Sequence, residues 1–317
     1  PKTSTWGINF QRTIRRKNEE ILWSGHKRNQ GIYRPQDAGR LTGLNNISQG
    51  LGLELVGYGK AEALKVQNES EGGYNNSQSL DGGLDVNYNI TPGLKASLTV
   101  NTDFAETEVD DRQINLTRFP IRFPEKRDFF LEGANIFRFA PSSGVYPYFS
   151  RKIGLRSGNP IPILYGGRVI GKIGKVEVAA QQVKTRETDN FNSEDFSVIR
   201  LKQNFLKESS IGVLYTRRHT NKGKEFVPPL QDRNTLGVDL TLNTSTFLKN
   251  QNLQFQAFAV IHNPESPGEI NNNIWDRSAR GLRFNFPNDP WSGSLSYREF
   301  GINYDPAVGF SRRNSFR

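Results

Sequence analysis

From Leu80 onward the chain alternates apolar and polar side chains with a period of two. Leu80, Gly82, Leu84, Val86, Tyr88 and Ile90 stand against Asp81, Gly83, Asp85, Asn87 and Asn89. Thr91-Pro92-Gly93 has the composition of a tight turn. The return run sets Leu94, Ala96, Leu98 and Val100 against Lys95, Ser97, Thr99 and Asn101. A two-residue period sends the two sets to opposite faces of a sheet. One face of this hairpin is unbroken in its apolar character, and the other carries Asp, Asn and Lys. Such a hairpin separates two environments, lipid or core on one side and water on the other.

The pattern recurs. Leu164–Ile173 and Val176–Val183 flank Gly174-Lys175, and Phe196–Phe205 is followed by Ser210–Arg217. Leu236–Leu242 precedes Leu253–His262, and Gly281–Phe286 precedes Trp291–Phe300 across Pro287-Asn288-Asp289-Pro290. With Leu51–Tyr58 as the first, about eleven strands are expected, against the even numbers of bacterial single-chain barrels. Short connections at 91–93, 174–175, 206–208, 245–250 and 287–290 alternate with long polar ones at 67–79, 103–160, 186–195, 219–233 and 263–277. That segregation is the arrangement of periplasmic turns and extracellular loops. Phe205, Phe247, Phe284, Phe286 and Trp291 gather near the short connections, as rings at a headgroup level do.

Composition narrows the choice. The hydrophobic fraction is 35%, below the roughly 45–50% of ordinary globular chains, so a wet interior with an apolar exterior suits it better than a dry core. No run reaches the ~18 apolar residues of a spanning helix, which leaves barrels as the membrane option. The chain lacks Cys and Met, begins at Pro1 and shows no signal-peptide pattern, as a fragment or processed segment would. Its net charge of +10 is dispersed among 32 acidic residues and forms no basic tail, so the expected partners are outer-membrane lipid headgroups or, equally, anionic solutes rather than nucleic acid.

The 103–160 segment is too long for a plain connection and too rich in Phe for disorder. Asp103, Glu106, Glu108, Asp110 and Asp111 precede Arg112, Arg118, Arg122, Lys126 and Arg127. Paired charges of this kind suit an element folded into a polar lumen, where an unpaired charge is costly. The expected lumen or plug residues are Asp103, Glu106, Glu108, Asp110, Asp111, Arg112, Arg118, Glu125, Lys126, Arg127 and Glu132. The acidic run could also take a hard cation, though its spacing is not that of an EF-hand. Glu125 and Glu132 could form a glycosidase pair, on the weak ground that two carboxylates suffice. Gly166–Lys172 nearly spells a phosphate loop but has Ile173 where Ser or Thr belongs and reads as strand. His26, His219 and His262 lack ligand spacing; the last two read as solvated strand-end residues. No catalytic, metal or cofactor residue is assigned.

Before the sheet, Trp6, Ile8 and Phe10 alternate with polar residues as one strand, followed by a basic stretch and a loop through Gly43. The runs Asn101-Thr102-Asp103-Phe104, Val109–Phe119, Phe123-Pro124-Glu125-Lys126-Arg127-Asp128-Phe129-Phe130-Leu131-Glu132-Gly133, Phe149–Gly154 and Tyr304–Phe310 carry a resemblance over nearly the whole chain. It resembles the uncharacterised outer-membrane barrel domain that follows a family-9-type carbohydrate-binding module in many Gram-negative envelope proteins. Trp6–Trp23 is similar to that module's closing strand. Departures are Thr102 and Asp128, where Pro is expected, and Arg122, where an aromatic is expected.

The resemblance implies residues 1–25 as the tail of a module-like sandwich, 26–50 as linker and 51–317 as an all-β, antiparallel, up-and-down transmembrane barrel. That barrel is incomplete, with about 11–12 strands, and 103–160 is its plug or loop. It further implies the bacterial outer membrane, a glycan among solutes bound or admitted, and envelope accessory proteins as partners. The rival expectations are a glycan-processing hydrolase and a soluble β-sandwich that binds carbohydrate.

Overall fold

A computed structural model describes every residue except 1–2, 26–31, 33–36, 46–49, 69–72, 102–113, 117–118, 157–158, 222, 224–231, 265–272 and 312–317. It divides into two compact units, 1–51 with 286–293 and 52–285 with 294–317. In the first, β1 (Thr3–Ile8) pairs antiparallel with β4 (Gly39–Asn45), and β2 (Gln11–Ile14) with β3 (Glu19–Leu22). Two expectations are corrected here. The basic stretch is a hairpin, turned by Arg15–Lys17 and by Asn18 at φ 54°. Residues 39–45, expected as linker, form a strand. Both were hidden because charged or Gly-rich strands carry little two-residue periodicity. Among the described residues of 1–51, Leu22 is the one buried apolar side chain.

The second unit contains β5 (Leu53–Asn68), β6 (Gly73–Thr91), β7 (Leu94–Val100), β8 (Leu155–Arg156), β9 (Asn159–Pro160), β10 (Ile163–Ile173), β11 (Val176–Thr185) and β12 (Glu194–Phe205). It continues with β13 (Ser209–Thr220), β14 (Arg233–Phe247), β15 (Gln251–His262) and most of β16 (Ser278–Pro287) and of β17 (Ser292–Phe300). Eleven strands, β5–β7 and β10–β17, lie in chain order in one antiparallel sheet, and β8 and β9 pair separately. Every sequence-expected hairpin of the sheet is present. The sheet keeps two edges, β5 and β17, so no closed barrel is seen among the described residues. The expected long connection at 67–79 is also corrected. β5 and β6 pair as far as Asn68 and Gly73, so most of that stretch is ladder.

Register fixes two unlike faces. Ala180, Ile199, Tyr215, Leu236 and Ile261 form a cross-strand row, and Val178, Leu201, Val213, Val238 and Ala259 form the next. Nothing among the described residues packs over this open face: Leu98 and Leu236 are each 48% exposed and Val213 is 42%. The opposite face is packed. Ala179, Val183, Phe196, Val198, Leu214, Phe258, Val260 and Ala279 form a core there with Phe130, Phe137, Phe139, Val145 and Ile153 from the connection between β7 and β10. Phe300, Tyr304 and Val308 from the segment after β16 complete it.

A candidate functional site on the packed face

The connection from β7 to β10 is positioned by charges as well as by its rings. α1 (Asp128–Leu131) is a single turn that buries Phe130. Just before it, Arg127 donates to Glu125 from Nε at 2.8 Å and Nη2 at 2.7 Å, and to the carbonyls of Ile153 and Ser150 at 2.7 and 2.8 Å. The Arg127 guanidinium also stacks on Phe130, 4.1 Å from the ring centre. Burial alone would raise the Glu125 carboxyl, but its hydrogen bonds and charge pairing with Arg127, with help from Ser150, hold it below its usual value. This clamp closes the loop on itself.

Glu132 ties the same loop to the sheet. It accepts from Lys95 on β7 at 2.6 Å and from Arg168 on β10 at 3.2 Å. Arg168 is buried, donates also to the carbonyl of Glu132 at 2.9 Å and to that of Phe129, and lies over the Phe129 ring. Farther along, Ala140 N–H donates to Asp239 Oδ2 at 3.3 Å. Asp239 on β14 is itself paired with the fully buried Arg200 on β12, Nη2 to Oδ2 at 3.0 Å. The strand between them supplies Gly212, where a Cβ would come within 2.5 Å of the Arg200 guanidinium. Gly237 similarly makes room for Phe139, which a Cβ there would meet at 2.7 Å. Strand glycines of this kind mark close approach by another group.

The loop encloses a cleft of about 450 Å³, lined wholly from within residues 122–150. Arg122 stands over the Tyr146 ring, 4.5 Å from its centre. Tyr146 is held in turn: Phe310 meets its ring edge-on at 6.4 Å and donates from its N–H to the Tyr146 carbonyl at 2.8 Å. Phe149 N–H donates to Val308 O at 2.7 Å, so the segment after β17 backs the cleft. Arg138 is exposed at the same cleft.

Of the sequence-expected site residues, Glu125, Arg127 and Glu132 are thus brought onto the packed face. Lys126 is half-buried beside them, its N–H donating to Glu125 at 3.0 Å. Asp103, Glu106, Glu108, Asp110, Asp111, Arg112 and Arg118 lie outside the described residues. Sequence reading missed Arg138, Tyr146, Arg168, Arg200 and Asp239; the one usable signal was the pair of interior strand glycines, Gly212 and Gly237. The expectation of a solvated His262 is corrected. His262 is buried, its ring within 2.7 Å of Asn263 O and 2.9 Å of Asn303 O, because its register puts it on the packed face. His219 contacts Asp232 at 2.5 Å. Among the described residues no three His, Asp or Glu side chains gather to hold a metal ion.

No curated protein and no solved structure matches this chain. Residues 52–163, which span β5–β7, the clamp and the cleft, match the family described as a domain of unknown function (DUF5916).

Proposed function

We propose that this chain is part of an outer-membrane β-barrel that binds or admits a solute, with the 103–160 segment as its plug. The carrying observation is the open face. Two apolar rows run unbroken from β11 to β15 and stay partly exposed, while the opposite face, where polar and apolar residues mix, holds packed protein. Soluble monomers rarely leave a contiguous apolar patch beyond a few hundred Å² uncovered, whereas lipid covers such a face at no cost. The alternation of short and long connections from β6 onward and the buried charge pairs of the packed side agree with the same reading.

A glycan is the solute class implied by the family resemblance. Of the rivals, a soluble sandwich needs a second sheet over the open face, and none is present among the described residues. A hydrolase built on Glu125 and Glu132 is disfavoured by the cations already bound to both. Membrane fractionation with heat-modifiable gel mobility tests the proposal. The protein should sediment with the outer membrane, require detergent for extraction and migrate faster unheated. Recovery in the soluble fraction without detergent would overturn it.

A further inference from the structure

We infer that the cleft within 122–150 binds a small carboxylate-bearing solute, an acidic sugar where the solute is a glycan. The inference rests on the solute-binding reading above only for the sugar body; the anion preference comes from the cleft itself. Three charged side chains line it: Arg122, Arg138 and Glu125. The Glu125 carboxylate is occupied by Arg127 through both oxygens, so it does not neutralise the two lining arginines. Neither Arg122 nor Arg138 forms an ion pair with a described carboxylate.

Arg122 is exposed, yet its side chain is anchored. Its guanidinium stands over the ring of a tyrosine that Phe310 holds. A guanidinium held over a ring keeps N–H donors for a carboxylate to accept from in its plane. A volume of about 450 Å³ falls in the range of small-molecule pockets, and Tyr146 with Pro141 and Pro147 offers apolar surface for the body of the ligand.

Calorimetric titration of the whole detergent-extracted protein tests this, with sodium glucuronate as the probe and glucose, acetate and inorganic phosphate as comparisons. Glucuronate should bind saturably, at least about tenfold more tightly than glucose or acetate. Arg122→Gln and Arg138→Gln should each weaken it by roughly tenfold, with unheated gel mobility unchanged. Equal affinity for glucose, equal affinity for phosphate, no glucuronate binding, or indifference to the double R122Q/R138Q variant would overturn the inference. Glucuronate binding by a protein recovered in the soluble fraction would uphold the cleft while overturning the barrel.

Discussion

Arg200 has no contact with solvent, and its charge is answered by Asp239 from two strands away. Removing one partner of a buried pair strands the other, which typically costs about 3–5 kcal/mol. Asp239→Ala should therefore lower unfolding free energy by that order, measured by urea titration in detergent. The double change Arg200→Met with Asp239→Leu should recover most of the loss. Glu125 sets a pH dependence of its own. Its folded carboxyl lies below its unfolded value near 4.5, so the clamp's stabilisation is complete above that value. It is lost only as pH falls through the lower, folded one. Amide exchange of 125–153 should be insensitive to the clamp from neutral pH down to the ordinary carboxylate range. Below that range it should quicken, and Glu125→Gln should remove the transition.

Among the elements, the crossing segment depends on absences as much as on contacts. Gly237→Ala places a methyl against the Phe139 ring, and overpacking of this kind costs roughly 1–3 kcal/mol. Limited proteolysis should then cut within 128–150 faster while the strands stay protected; equal cutting would show that Phe139 is not seated there. The strands themselves were legible because apolar residues alternate with polar ones along β6, β7 and β14, and recur in short runs along β12, β13 and β15. The tail of β5 and head of β6 were not, since Tyr74-Asn75-Asn76-Ser77-Gln78-Ser79 is polar on both sides and carries no period. The site was half legible. Glu125 and Arg127 are two residues apart and read as a local charge pair. Arg168 with Glu132 and Arg200 with Asp239 are 36 and 39 residues apart, and no local pattern announces such partners.

For the molecule as a whole, the open face is the feature on which the lipid reading stands. Val213→Arg puts a charge into the apolar row and should cost about 2–4 kcal/mol if that row meets the bilayer midplane. The same change at Thr241 on the packed side should cost less. Equal effects would count against a lipid-facing sheet. Deleting 103–140 should raise single-channel conductance in planar bilayers; unchanged conductance would rule out a blocking role. The Arg200–Asp239 bridge has a consequence beyond its own stability. It passes over β13 at Gly212, so it forms only when three consecutive strands are mutually aligned. A slip of β14 by a single residue turns Asp239 toward the opposite side, leaving Arg200 uncompensated and the Ala140 amide without its acceptor. A misaligned sheet thus forfeits the bridge and the seat of the β7–β10 connection together, so one buried charge pair ties strand alignment to the docking of that segment.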